Sequence, residues 1–212
     1  MVSEKTVYRM LDRKSLPAIR IGGQWRFRKK DIDGWINSRV RKVDLEGDRQ
    51  ILADLGPSEI AIAPLLELEN IWLRVPPMSR DSILSWMISK AKLDEDTDRP
   101  ALVESVLLRE TICSTALIET AAFPHLNDPR KFKFSRKRVL LAILQKPINW
   151  FDPHGHQPQV VAMILARRVQ GYLLTISRAI KLFGDSKLMD LVIQSESRND
   201  VIAAIRQAEE RL

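Results

Sequence analysis

At 212 residues and 45% hydrophobic composition, the chain can bury one medium domain and a small one, and it has no run of about 18 apolar residues to span a membrane. Cys113 is the only cysteine, which excludes an intramolecular disulfide and a cysteine-based zinc site and fits a reducing cytoplasm; the N-terminal "MVSEKTVYRMLDRK" lacks the apolar core of a secretion signal. The formal net charge of +7 lies at one end: residues 1–42 carry 12 Lys+Arg against 4 Asp+Glu, and residues 43–212 carry 22 against 23, so a polyanion-binding module attached to a near-neutral domain is expected.

The first element, "SEKTVYRMLDRKSLP", reads as a short helix. Ser3 can cap it, and Val7, Met10 and Leu11 fall at helical spacing. Leu16-Pro17 ends it, because proline biases the preceding residue to an extended shape. "AIRIGGQWRFRKKDIDGWINSRV" then reads as two short strands around Gly22-Gly23. Alternation is expected to put Ile19, Ile21, Trp25 and Phe27 on one face and Arg20, Arg26 and Arg28 on the other. A helix starting at Asp31 or Asp33 turns Ile32, Trp35 and Ile36 inward.

This segment, with its pattern "VS..TVYR", "LPA.RIGG.WRF" and "D.D.WI", resembles the excisionase-family, MerR-like winged helix-turn-helix over about 35 residues. The resemblance implies that the first helix enters the major groove and that the hairpin is a wing on the phosphate backbone. Ser3, Lys5, Thr6, Tyr8 and Arg9 would then face DNA, with Arg20, Arg26 and Arg28 on the wing. In that family a further helix precedes "VS"; the sequence opens at Met1-Val2-Ser3, so either a truncated or a degenerate module is expected.

Residues 43–60 read as a linker, with Gly47, Gly56 and Pro57 among mixed charges. Residues 61–212 then form the larger domain. "LLELENIWLRV" reads as one or two short strands, and "SRDSILSWMISKAKL" as a helix capped by Ser79. "RPALVESVLLRE" is a helix with Pro100 near its first turn, where proline is tolerated. "RVLLAILQ" and "QVVAMILA" read as buried strands. "GYLLTISRAIKLF", "DSKLMDLVIQ" and "SRNDVIAAIRQAEERL" read as helices. Alternating strands and helices argue for an α/β domain.

Between these elements, "LLRETICSTALIETAAFPH" puts Arg109 at a helix end, then Ser114-Thr115, then a strand ending in Pro124-His125. The string resembles the phosphotransferase-system enzyme IIA domain of the fructose, mannitol and nitrogen-regulatory class, with its "RE", "GSTGI" and "IAIPH". "KPINWFDPHGHQPQVVAMILA" resembles a later segment of the same family, and the resemblance spans residues 60–212. It implies a central mixed β-sheet flanked by helices. It also implies that His125 accepts a phosphoryl group, with Arg109 as its electrostatic partner. Neutral imidazole is a competent nucleophile near pH 7, and a guanidinium stabilises the anion that arrives. Ser114 and Thr115 would line a phosphate cradle; Tyr172 stands nearest to where the family often has a second histidine.

The remaining candidates read as structural. His154 and His156 make too small a set for zinc, so no metal and no cofactor is expected. Cys113 reads as a small core residue, Asp128 and Arg130 as solvated loop charges, and Trp72, Trp86 and Trp150 as packing groups.

The expected protein is a cytoplasmic regulator that couples DNA binding to phosphorylation of His125 by a histidine phosphocarrier protein. Two alternatives stay open: a regulator whose IIA-like domain senses a ligand or protein without phosphorylation, and a phosphocarrier relaying phosphate to a sugar permease. Whether the chain counts as a phosphohistidine phosphotransferase component is likewise open, as is a homodimer.

Overall fold

The computed structural model describes residues 11, 16–22, 24–28, 31, 61–166 and 169–212, with the side chains of residues 21, 24 and 169–173 outside that description. The chain separates into two compact units, Met1–Gly56 and Pro57–Leu212.

In the first unit Leu11 is helical and buried. Strands β1 (Ile19–Ile21) and β2 (Gln24–Arg26) form an antiparallel hairpin around Gly22, whose φ of +56° is the left-handed conformation glycine adopts freely. The register pairs Ile19 with Arg26, Arg20 with Trp25 and Ile21 with Gln24. Directly paired residues share a face of a sheet. The two-residue turn therefore sets odd positions of β1 beside even positions of β2, and the expected division into an apolar face and an arginine face is corrected. Arg20 lies with Trp25, its guanidinium 5.7 Å from the ring centroid, and Arg26 lies with Ile19. Arg28, past β2, is ion-paired with Asp31 at 3.3 Å. The DNA-facing candidates Ser3, Lys5, Thr6, Tyr8 and Arg9, the helix around Trp35 and the linker 43–60 lie outside the described residues.

The second unit is a four-stranded mixed sheet, order β3-β5-β6-β4, with helices on both faces. Its strands are β3 (Leu66–Val75), β4 (Ala121–Ala122), β5 (Arg138–Leu144) and β6 (Val160–Leu165). β3 runs parallel to β5, β5 antiparallel to β6, and β4 parallel to β6. "LLELENIWLRV" is thus one long strand, with register shifts and Arg74 at φ +53° where the pairing with β5 slips.

The apolar runs of β5 and β6 follow from this layering. Val139, Leu141, Ile143 and Ile164 pack against α3 (Val169–Phe183), α4 (Ser186–Gln194) and α5 (Arg198–Glu209). Leu140, Ala142, Leu144 and Met163 pack against α1 (Arg80–Lys90) and α2 (Arg99–Ile112) on the other side. With both faces covered, both strands are apolar throughout apart from Arg138 at the start of β5. Each buried Leu or Ile here contributes about 1.5–3 kcal/mol, whereas a surface ion pair typically gives under about 1. The core therefore sets the fold.

Helix starts follow local chemistry. Ser79, Asp98, Asp185 and Ser197 accept backbone N–H bonds from Ser82, Ala101, Lys187 and Asp200. Pro100 occupies the first turn of α2, where its missing N–H costs no bond.

Candidate phosphoacceptor site

The site is built where α2 ends and β4 begins. Strand β4 is only two residues long and pairs with Val160 and Val161 of β6. Pro124 follows; it has no N–H, but its carbonyl accepts from Ile164 at 2.9 Å. His125 then forms a parallel bridge with Ile164. The histidine is therefore fixed against a central strand.

His125 is 5% exposed, and its Nδ1 lies 2.9 Å from the Phe123 carbonyl. A carbonyl only accepts, so Nδ1 carries the proton and the lone pair of the neutral ring is on Nε2. Burial lowers the His125 pKa to about 4; the Phe123 carbonyl opposes that shift, and the positive charge of Arg109 adds to it. The ring is neutral at pH 7. Arg109 stands in the last turn of α2, where its Nη1 donates to the Cys113 carbonyl at 2.8 Å.

The loop between helix and strand is held by carboxylates. Thr115 Oγ1 donates to Glu110, and Thr115 N donates to Glu110 Oε2 at 3.3 Å. The Thr115 carbonyl accepts from Phe123 N at 2.9 Å. Ser114 Oγ accepts from Ala116 N at 3.2 Å. Of the two hydroxyls read as cradle groups, that of Thr115 thus donates to a carboxylate here. Burial works to raise the Asp152 pKa, but the N–H groups of His154 and His156 and the Ser114 hydroxyl together hold it below the usual range. His156 Nδ1 lies 2.9 Å from the Ala116 carbonyl and 3.1 Å from Asp152 Oδ2, so the 152–156 turn braces the same loop. Among the described residues no group of three or more His, Cys, Asp or Glu could hold a metal ion.

Residues 64–208 match the family model described as "Phosphoenolpyruvate-dependent sugar phosphotransferase system, EIIA 2". The chain belongs to that family. In this EIIA 2 chain a second match, to a helix-turn-helix domain, covers residues 2–40. Solved structures agree on the fold. The nitrogen regulatory protein IIA-Ntr from Neisseria meningitidis aligns at 18% identity and TM-score 0.61, over 68% of this chain and 98% of its own. IIA mannitol from Escherichia coli aligns at 20% identity and TM-score 0.57, over 66% and 98%. A putative PTS IIA domain from Streptococcus pyogenes aligns at 15% identity and TM-score 0.57, over 70% and 97%. A comparison with curated proteins found no match.

The structure brings Arg109 into electrostatic range of His125 and sets Ser114 and Thr115 on the adjoining loop. Tyr172 lies in α3, but its side chain is outside the described residues. Cys113 is exposed, which corrects its reading as a core residue: it follows the last turn of α2, where the chain leaves the helix in an extended conformation. Asp128 and Arg130 form an ion pair at 2.9 Å. Trp150 is fully buried, and Trp72 and Trp86 pack edge to face at 5.4 Å between centroids.

Sequence reasoning missed Glu110. It is 4% exposed and takes up Thr115 and, through Oε2 at 3.1 Å, the indole N–H of Trp150. One signal pointed to it: Leu102, Val106 and Glu110 fall at successive intervals of four and line the buried stripe of α2.

Proposed function

We propose that this EIIA-family chain is a regulator in which a DNA-binding helix-turn-helix module is governed by a phosphoryl group accepted on His125 from a histidine phosphocarrier protein. The module spans residues 1–42, a linker residues 43–60 and the phosphoacceptor domain residues 61–212. The observation that carries this reading is the state of His125: a neutral ring, its Nδ1–H held by the Phe123 carbonyl and its lone pair on Nε2.

The transfer balances simply. The Nε2 lone pair attacks the phosphorus of the carrier's phosphohistidine. A new N–P bond forms, the carrier's N–P bond breaks, and the carrier nitrogen keeps that electron pair. The incoming group is dianionic, and Arg109 supplies the compensating charge. A dianion added within the IIA domain changes its electrostatics, through which DNA occupancy would respond. The basic surplus of residues 1–42 and the helix-turn-helix match support the DNA arm. A phosphocarrier donor would put the reaction in the cytoplasm.

The test incubates the chain with phosphoenolpyruvate, enzyme I and the phosphocarrier, beside a His125→Ala variant, and reads mass and DNA affinity. The expected result is an acid-labile gain of one phosphate, absent from the variant, together with altered DNA affinity. No gain, with the donors active on another acceptor, sinks the phosphoacceptor reading.

One observation favours a second reading, a ligand sensor. A cavity of about 400 Å³ lies beside the segment after His125, lined by Thr97, Asp98, Ser105, Asn127, Lys131 and Phe134 among others. Regulation that survives in His125→Ala would select it.

A further inference from the structure

We infer that Glu110 is a positioning residue for His125, acting through Thr115 and Phe123 to fix which ring nitrogen faces the incoming phosphoryl group. The inference rests on the phosphoacceptor reading for its kinetic arm only.

The connection is a chain of hydrogen bonds. Glu110 takes the Thr115 hydroxyl on Oε1 and the Thr115 N–H on Oε2 at 3.3 Å. The Thr115 carbonyl takes the Phe123 N–H at 2.9 Å. The Phe123 carbonyl takes the His125 Nδ1–H at 2.9 Å. Trp150 closes the far side of the carboxylate with its indole N–H at 3.1 Å. Three donors converge on one side chain, and an ionised carboxylate can accept them all. The preceding residue acts on the same loop, since Arg109 Nη1 holds the Cys113 carbonyl at 2.8 Å. Arg109 and Glu110 together fix where the chain turns from α2 toward β4.

Stability alone does not account for the residue. Glu110 continues the stripe of Leu102 and Val106, between the first core residues of α2 and the fully buried Trp150. A buried carboxylate loses its hydration, and an apolar residue of similar size at such a site is often as stable or more so. Burial does raise the Glu110 pKa, while the bonds from Thr115 and Trp150 and the charge of Arg80 pull it back. What the carboxylate supplies, and leucine would not, is a directional hold on Thr115. That hold sets the Phe123 backbone, and the Phe123 carbonyl sets the tautomer of His125.

The test uses the full chain with three variants. Glu110→Leu keeps roughly the size of the side chain and removes every acceptor that faces the three donors. Thr115→Val removes the hydroxyl at constant shape, and Thr115→Ser restores it. The readouts are the initial rate of phosphorylation by the phosphocarrier and the 15N resonances of the His125 ring. Wild type should show one tautomer, protonated at Nδ1. Glu110→Leu and Thr115→Val should show mixed tautomers and lose on the order of 10- to 100-fold in rate, the scale of a small misplacement of a reacting group. Thr115→Ser should regain both the wild-type spectrum and the rate. A folded Glu110→Leu with wild-type spectrum and rate overturns the inference. If that variant does not fold, Thr115→Val matching Thr115→Ser in both readouts overturns it equally. Should wild type itself take no phosphate, the phosphoacceptor reading fails while the 15N arm still decides the role of Glu110.

Discussion

His125 donates its Nδ1–H to the carbonyl of Phe123, two residues earlier, at 2.9 Å. The same burial that fixes this bond lowers the ring's pKa to about 4, against an ordinary value of 6.5. On acidification the unfolded chain therefore takes up the proton first. The stability His125 allows is fully present above pH 6.5 and is lost as the pH falls toward 4, by at most about 1.4 kcal/mol per pH unit. His125→Asn has no such group. Urea unfolding at pH 7 and pH 5 should show wild type losing more stability than the variant. Equal losses would mean that the histidine titrates as freely in the fold as out of it.

Arg109 is the second cause of that shift, after burial. Arg109→Gln should raise the His125 pKa, read from its ring resonances across a pH titration. It should also slow phosphorylation by about 10²–10³-fold, the scale for removing one charge-stabilising donor. A rate loss with an unmoved His125 titration would place Arg109 in docking of the phosphocarrier instead.

Arg138, at the start of β5, is almost fully buried between two carboxylates. Its Nη2 donates to Asp94 Oδ1 at 2.7 Å and its Nε to Glu67 Oε1 at 3.2 Å. Arg138 and the Ser135 N–H and hydroxyl hold the Asp94 carboxyl well below the usual range. Asp94→Ala should cost about 3 kcal/mol, the lower end for stranding a buried charge, because Glu67 remains. Adding Arg138→Met should recover much of that loss. A double variant less stable than Asp94→Ala would show that the guanidinium contributes packing beyond its charge.

How legible these features were follows from what each depends on. The apolar runs of β5 and β6 and the cap at Ser79 depend on local composition and are readable as written. His125 and Arg109 could be named because their spacing matches a family pattern. Glu110 was not named: its role depends on Thr115 five residues on and Trp150 forty residues on, and only the fold brings those together. Cys113 was misplaced for a related reason. Its burial depends on where α2 stops, and boundaries carry weaker signals than interiors. The hairpin faces failed on one register, since alternation within a strand is legible but the pairing of two strands depends on the turn.

That register yields a prediction for the DNA arm. Paired residues share a face, so Arg20 lies with Trp25 and Arg26 with Ile19 on the opposite face. A wing lies along one phosphate backbone and presents one face to it. Each phosphate contact removed lowers the slope of log affinity against log salt by about 0.9. Arg20→Ala and Arg26→Ala should therefore separate: one lowers the slope by about one, and the other leaves it near wild type. Arg28 is ion-paired with Asp31 at 3.3 Å, so Asp31→Asn should free its charge and strengthen binding at low salt. Binding isotherms on nonspecific duplex DNA at several salt concentrations give all three slopes. Equal losses for Arg20→Ala and Arg26→Ala would mean that the hairpin enters a groove and touches both of its walls, as a ribbon does, rather than lying on one backbone as a wing.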